Sequence, residues 1–331
     1  MEVLHRIDSE ITNRCNAACP LCPRTGTFGA GVSEVVHRQG YRDTEIETIK
    51  NIIDSKSAVN LKHFSYCGNY GDPFMHPHIL EIVSIISSYG ITQRFDTNGG
   101  MRKPEFWTEI GKLPGVAINF AIDGLKDTNH IYRVKTDFDR IIANAEAFIK
   151  AGGKADWIMI IFDHNQHQID EANKLSKKIG FKSFQTKISS RGFNLSGKKT
   201  HNKISIPSDK KYQPSELTHG YIEKPVRCKA IYNEQFFLTP DNMIMPCCHV
   251  HSEVAKKTYG VYKKEDDFYR FLIDNNIKYD LDKYEFDEIV DSYRSNLNVL
   301  REYWDKKVIG VCNNICGSNR GNKTIEYKEK T

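Results

Sequence analysis

Nine cysteines in a chain of 331 residues fall into two groups with one stray. Cys15, Cys19 and Cys22 crowd the N-terminus. Cys67 stands alone. Cys228, Cys247, Cys248, Cys312 and Cys316 lie in the last third. Cysteines placed for core packing would not segregate this way. In a long cytosolic chain they stay reduced, so structural disulfides are not expected. Metal or cluster ligation is therefore the first chemistry these positions suggest.

The remaining composition is ordinary for a soluble globular protein. Hydrophobic residues make up 39% and charged residues 27%, enough apolar mass for a real core. The length suits one large domain or two smaller ones. Collagen-like, disordered and disulfide-miniprotein classes are excluded. No apolar run reaches the roughly 18 residues of a membrane span. Residues Met1 to Asp8 lack the apolar stretch of a signal peptide, so the cytoplasm is the expected compartment and no membrane is expected as a partner. The net charge of +5 is local, because seven Lys/Arg stand against three Asp/Glu between Ser189 and Val226. That stretch reads as a solvated linker or substrate-covering segment before it reads as a nucleic-acid surface.

From residue 4 to about residue 188, short apolar strands alternate with amphipathic helices. Strands are expected at residues 5–12, 62–66, 92–96, 116–122, 157–162 and 181–188. Thr44 and Glu47 form a capping box for a helix that carries Ile46, Ile49, Ile52 and Ile53. Pro77 and Pro104 mark helix starts; Gly90 and Gly180 mark helix ends. Further helices are expected over 137–151 and 169–179. Six βα-type units imply parallel strands with right-handed crossovers. Eight would close a full barrel, so six imply an open, partial one with its strand-end loops at a common mouth. Beyond the basic stretch, two apolar runs flank Thr239-Pro240-Asp241-Asn242, a hairpin signal. Residues 286–304 read as one long helix and 326–331 as a frayed charged tail.

The sharpest motif is Glu10-Ile-Thr-Asn-Arg-Cys15-Asn-Ala-Ala-Cys19-Pro-Leu-Cys22. Three thiolates at C-x3-C-x2-C spacing suit one face of a soft-metal centre. Three ligands on a four-iron cube leave one iron open. The competing reading is a zinc site with a distant fourth ligand, although zinc knuckles usually use paired C-x2-C hooks. At these residues the chain resembles the radical S-adenosylmethionine (radical SAM) superfamily, and further motifs follow in order. Tyr66-Cys-Gly-Asn-Tyr-Gly-Asp-Pro73 is similar to the family's GGE loop, whose carboxylate and backbone hold the SAM amino group. Here Gly71 and Asp72 take that place, the acid one methylene short and Tyr70 replacing the first glycine. A plain Asp-Pro turn is the competing reading. Asp96-Thr-Asn-Gly99 is similar to the family's TNG segment, which puts Asn98 at the site. Ala121-Ile-Asp-Gly124 is similar to S-x-D-G with Ala for Ser, leaving Asp123 to contact the ribose. Asp163-His-Asn165 resembles a loop where an Asn commonly occurs. Arg191, after the sixth strand, is the candidate to reach the SAM carboxylate or ribose. Plain loop roles compete for Asn165 and Arg191. Cys67 reads as a buried strand-end thiol, and His76 and His78 as polar residues at a helix start.

The C-terminal cysteines resemble the twitch domain, the shortened form of the SPASM domain. The resemblance implies that Cys228, Cys247, Cys312 and Cys316 hold one auxiliary 4Fe-4S cluster; the seven-cysteine SPASM complement is absent. Adjacent side chains of an extended segment point to opposite sides, so only one of Cys247 and Cys248 should face the cluster. The Met-Pro-Cys context favours Cys247. A structural zinc site with four thiolates is the competing reading.

The expected organisation is a partial (β/α)6 barrel over 1–190, the radical SAM core. A basic linker follows over 191–226, then a small α+β auxiliary-cluster domain over 227–331. The resemblance implies that Cys15, Cys19 and Cys22 hold a 4Fe-4S cluster whose open iron binds S-adenosylmethionine. Reductive cleavage then gives a 5′-deoxyadenosyl radical that abstracts hydrogen from substrate. A fully cysteine-bound auxiliary cluster fits an electron relay, and so net oxidation such as dehydrogenation or thioether or crosslink formation in a peptide. A flavodoxin- or ferredoxin-type reducing partner and a small-molecule or peptide substrate are implied; nucleic acid is not an expected partner. Two other readings stand beside this one: a zinc- or cluster-stabilised binding protein without catalysis, and a radical SAM enzyme that modifies RNA.

Overall fold

The computed structural model describes residues 3–25, 34–189, 204–213, 223–232, 234–258, 267–317 and 323–326. The described strands are β1 (Arg6–Ser9), β2 (His63–Tyr66), β3 (Thr92–Thr97), β4 (Val116–Ala121), β5 (Lys154–Ile160), β6 (Ser183–Ile188), β7 (Gln235–Leu238), β8 (Ile244–Met245) and β9 (Lys323–Glu326). Pairing is mostly parallel, with helices between successive strands. This is the α/β class of a partial barrel core. The residues pack as two compact units. One comprises Met1–Arg14, Glu34–Gln93 and Ile222–Asn319; the other comprises Cys15–Ser33, Arg94–Tyr221 and Arg320–Thr331. Among the described residues no helix is long and apolar enough to cross a membrane.

In the first unit β1 is the inner strand. It pairs in parallel with β2 on one side, Ile7 opposite Phe64, and with β7 on the other, Ile7 opposite Phe236. β7 turns back into β8 as an antiparallel hairpin. The turn is the expected Thr239–Asn242, with the Thr239 hydroxyl accepting from Met243 N–H at 2.9 Å and Asn242 at φ 59°. Every residue of β7 is buried, the pattern of a strand covered on both faces. The helix Ile46–Ile53 buries Ile49, Ile52 and Ile53, and the helix Ile79–Ser88 buries Ile79, Ile82, Val83 and Ile86. That spacing is one stripe of a 3.6-residue helix.

In the second unit β4, β5 and β6 run parallel, Phe120 opposite Trp157 and Trp157 opposite Phe184. β9 adds antiparallel to β6. The core is aromatic. Phe120 meets Trp107 at 5.3 Å and Phe181 at 5.9 Å between centroids, and Trp157 meets Phe181 at 5.4 Å. The helices Pro104–Lys112 and Phe138–Lys150 cross closely at Gly111, where a Cβ would lie 2.6 Å from the Phe148 carbonyl oxygen.

Several expected boundaries shift for local reasons. The helix after Thr44 starts at Ile46, its N-cap is Glu45, and no side chain caps it. Thr44 instead gives its N–H to the Ile11 carbonyl at 2.8 Å, so the expected capping box does not form. β5 begins at Lys154 rather than Trp157, because Lys154–Asp156 find partners in Ala117–Asn119 of β4. The long helix over 286–304 is two helices, Phe286–Ser295 and Leu297–Asp305. The Asn296 amide bonds the Ser292 carbonyl at 2.9 Å and competes with the backbone ladder at the break. Glu326, expected in a frayed tail, closes β9, while 327–331 lie outside the described residues.

Candidate active site

In the second unit the three N-terminal cysteines sit on one short, tightly turned loop. Cys22 N–H bonds the Cys19 carbonyl at 3.1 Å and Thr25 N–H bonds the Cys22 carbonyl at 3.0 Å. Cys19 is anchored in an apolar cluster of Ala17, Leu21, Tyr132, Phe162 and Ile204, with Cys15 and Cys22 packed against it. Burial pushes the Cys19 thiol up to about 11, with the Arg133 guanidinium pulling the other way. A thiol held so high needs a strong positive charge to become a thiolate. A bound metal would supply that charge. The donor set, soft sulfurs on an apolar floor, fits an iron–sulfur centre and not a hard cation.

Asn98 belongs to the same place. Its amide donates to Asn16 Oδ1 at 2.9 Å, reaches Cys15 Sγ at 3.9 Å, and accepts from Gly100 N–H at 2.9 Å. Asp123 is 0% exposed. One carboxylate oxygen accepts from Ile160 N–H at 2.5 Å and the other from Arg133 Nε at 2.6 Å. The side chain expected at the ribose is thus committed to the protein interior, with burial pushing its carboxyl up and Arg133 pulling it down. Asn165 is likewise buried. It accepts from Phe162 N–H at 2.8 Å and donates to the carbonyls of Asp123 and Ile160, both at 2.9 Å. It staples the loop after β5 to the loop after β4. Arg191 lies outside the described residues.

In the first unit the Tyr70-Gly71-Asp72 loop is fixed to the segment that leads into Cys15. Buried Glu10 accepts from Tyr70 N–H at 2.5 Å and Gly71 N–H at 2.7 Å through one oxygen. A Cβ on Gly71 would collide with the Thr12 carbonyl, so only glycine fits. Asp72 N–H bonds the Arg14 carbonyl at 2.8 Å, and Asp72 Oδ1 accepts from Phe74 N–H at 3.1 Å. The Asp-Pro turn therefore forms, and it positions the loop rather than competing with it. Burial pushes the Glu10 carboxyl up to about 7, against the pull of the Tyr70 and Gly71 N–H groups. Sequence reasoning assigned Glu10 no role. An acid five residues before the first cysteine, inside an apolar strand end, was the available signal.

The four expected auxiliary ligands also lie together in the first unit. Cys228, Cys247, Cys312 and Cys316 line one small cavity with Leu300 and Phe268, and Cys248 is not among its lining residues. Cys312 and Cys316 are one helical turn apart, Cys316 N–H bonding the Cys312 carbonyl at 2.8 Å, which puts them on the same helix face. Burial raises the thiols of Cys228 and Cys247, the latter well above its ordinary value. Cys248 opens the helix Cys248–Thr258, its carbonyl accepting from the Asn69 amide at 2.7 Å. Four soft donors around an apolar pocket fit an iron–sulfur cluster by the same argument. Among the described residues, no three His, Cys, Asp or Glu side chains converge as a single-ion site would require.

Cys67 directly follows β2 and is half-buried rather than buried, its N–H on the Ser9 carbonyl at 2.9 Å. His76 is buried, with Nε2 2.9 Å from the Thr44 carbonyl and Nδ1 accepting from His78 N–H at 3.1 Å. Both ring nitrogens have backbone partners.

Known proteins are similar to parts of this chain. Mycofactocin maturase MftC of Mycobacterium tuberculosis is 28% identical over 178 residues, 52% of this chain and 41% of that protein. The chain thus spans about two fifths of that relative's length. Among solved structures, Streptococcus suis SuiB bound to precursor peptide SuiA has a TM-score of 0.54 at 13% identity, over 80% of this chain and 62% of that one. SuiB bound to S-adenosylmethionine has a TM-score of 0.52 at 15% identity, over 75% and 61%. These two establish likeness of fold. A radical SAM superfamily model matches residues 9–175, a span that holds the cysteine loop, the Gly71–Asp72 loop and Asn98. With that match come the 4Fe-4S cluster and S-adenosylmethionine that the family implies. The chain belongs to the radical SAM superfamily.

Proposed function

We propose that Cys15, Cys19 and Cys22 hold an open-iron 4Fe-4S cluster at which S-adenosylmethionine is cleaved. Cys228, Cys247, Cys312 and Cys316 hold an auxiliary 4Fe-4S cluster, and the net reaction is oxidation of a peptide by dehydrogenation or by thioether or crosslink formation. When bound, the first cluster would supply the electron for splitting S-adenosylmethionine into methionine and a 5′-deoxyadenosyl radical, and the second would accept one electron from the substrate. The chain's own residues do the positioning. Glu10 holds Tyr70 and Gly71 by their N–H groups. Asp72, fixed by its own N–H on Arg14, presents its carboxylate to the ammonium group of S-adenosylmethionine. Asn98 orders the loop beside Cys15, and Arg191 is the partner for the carboxylate or ribose. Asn165 and Asp123 act indirectly, by holding the loops that carry the site. A flavodoxin- or ferredoxin-type protein delivers the first electron.

The observation that carries the oxidative reading is the grouping of four thiols around one apolar cavity, Cys248 excluded. A peptide is the substrate class because one curated relative is named a maturase and a solved structure of like fold holds a precursor peptide. Anaerobic reconstitution, dithionite reduction and assay for 5′-deoxyadenosine test the first half. Wild-type protein should form it without substrate, slowly, and the Cys15→Ala, Cys19→Ala, Cys22→Ala triple variant should form none. Full cleavage by that variant sinks the assignment. Zinc in place of iron at the C-terminal cysteines sinks the relay.

A further inference from the structure

The segment 132–134 touches the cysteine loop in three ways, and the middle contact has no role in the reading above. Tyr132 packs in the apolar cluster that anchors Cys19. Val134 accepts from Ala18 N–H at 2.9 Å. Between them Arg133 donates from Nη1 to Cys19 Sγ at 3.8 Å. The guanidinium is set from two sides. Its Nε is bound to Asp123 at 2.6 Å, and it lies over the Tyr132 ring at 5.4 Å from the centroid. Asp123 is itself fixed by Ile160 N–H and by its own N–H on Asn129 Oδ1 at 2.9 Å. The side chain of Arg133 is 15% exposed, so its charge is poorly screened by solvent. A fixed, always-charged donor has thus been aimed at one sulfur of the loop.

We propose that Arg133 sets the reduction potential of the cluster on Cys15, Cys19 and Cys22 through an N–H···S hydrogen bond to Cys19, with Asp123 as the residue that positions it. The inference rests on the reading that Cys19 is a cluster ligand. Hydrogen bonds to cluster sulfurs and nearby positive charge both favour the reduced, more negative form, and so raise the potential. Lysine cannot serve equally: its ammonium is a point charge on a flexible stem, whereas the planar fork bonds Asp123 and Cys19 at once.

The test is a redox titration followed by electron paramagnetic resonance, reading only the signal that changes on adding S-adenosylmethionine. Three proteins are compared: wild type, Arg133→Lys, and the double variant Arg133→Gln with Asp123→Asn. The double variant leaves no unpaired buried carboxylate. Losing one charge-assisted bond should lower the reduced-to-oxidised ratio at fixed potential about tenfold, a fall of about 59 mV for a one-electron couple. Arg133→Lys keeps the charge and should fall less. Iron content is measured on each. Wild-type iron content with an unmoved midpoint in the double variant overturns the proposal. Failure of both variants to load iron, with unchanged circular dichroism, overturns it too, because Arg133 would then serve only to shape the loop. A wild-type protein with no cluster signal responsive to S-adenosylmethionine instead overturns the reading of Cys19 itself.

Discussion

Glu10 Oε2 and His251 Nδ1 face each other at 3.9 Å, both side chains 1% exposed and neither atom in any hydrogen bond. His251 lies on the helix that begins at Cys248, and Glu10 carries the Tyr70–Gly71 turn. The pair joins the two loops of the first unit that the proposed function uses. Burial pushes the acid up to about 7 and the imidazole down to about 4, because the interior disfavours the charged form of each.

The two shifts act oppositely on stability. The raised Glu10 pKa makes folding less favourable as pH rises from its unfolded value toward 7. The lowered His251 pKa makes folding less favourable as pH falls from its unfolded value toward 4. Over the shared window, mildly acidic pH, the slopes offset each other. Glu10→Gln keeps an acceptor for the Tyr70 and Gly71 N–H groups and removes the first slope. Its denaturation midpoint should fall with acidification more steeply than the wild type's, and exceed the wild type's above pH 7. Parallel pH profiles for the two proteins would refute the coupling.

Asp72 combines a structural bond with its proposed ligand role, and the two separate by substitution. Asp72→Asn keeps an oxygen for Phe74 N–H and should unfold within roughly 0.5 kcal/mol of wild type, while Asp72→Ala loses the cap and about 1 kcal/mol. Both lose the charge-assisted bond to the ammonium group, worth roughly 1.5–3 kcal/mol, so S-adenosylmethionine affinity should drop about 10- to 150-fold in each. Calorimetric titration of Asp72→Asn decides: unchanged affinity reduces Asp72 to a turn residue.

Gly71→Ala drives a methyl group into the Thr12 carbonyl. Backbone sits on the other side of that clash, so no flexible side chain can yield. The substitution should cost about 1–3 kcal/mol, as overpacked sites do. The melting temperature should fall, and S-adenosylmethionine binding should weaken with it. A melting temperature equal to wild type would show that the loop is not pinned to residue 12.

The auxiliary ligands can be counted in the variant lacking Cys15, Cys19 and Cys22. It should still bind about four irons with no spectral response to S-adenosylmethionine. In that background, alanine at Cys228, Cys247, Cys312 or Cys316 should lose or damage the cluster, and Cys248→Ala should leave it intact. Iron and acid-labile sulfide analysis checks each. Loss with Cys248→Ala but not with Cys247→Ala would reverse the ligand choice.

Much of the fold could be read from local chemistry. The helix Ile169–Ile179 and its left-handed cap Gly180 fall where the apolar stripe and the glycine placed them. The helix expected over 137–151 runs Phe138–Lys150, with Asp137 as its N-cap. Turns and caps are settled by neighbours in sequence, and so are visible there. What could not be read depends on distant partners. Lys154–Asp156 are strand because β4 lies beside them, and Lys323–Glu326 because β6 does. The site divides in the same way. Cysteine spacing exposes the ligand candidates, whereas the contacts of Arg133 with Cys19 and of Glu10 with Tyr70 join residues far apart in the chain. The motif around Asp123 offers it as a ribose contact and gives no sign of Arg133 and Ile160, which donate to its two oxygens.

The parallel pairing of β1 with β7, Arg6 opposite Gln235, also fixes an order of events during synthesis. β1 leaves the ribosome well before β7, one of its two neighbours, which begins only at Gln235. Until then that edge of β1 carries open backbone donors and acceptors, a template for mispairing with other nascent chains. A contact so remote in sequence forms slowly. The sheet of the first unit is therefore completed only once β7 has been made, and the interval before that is when the newborn chain most needs a chaperone.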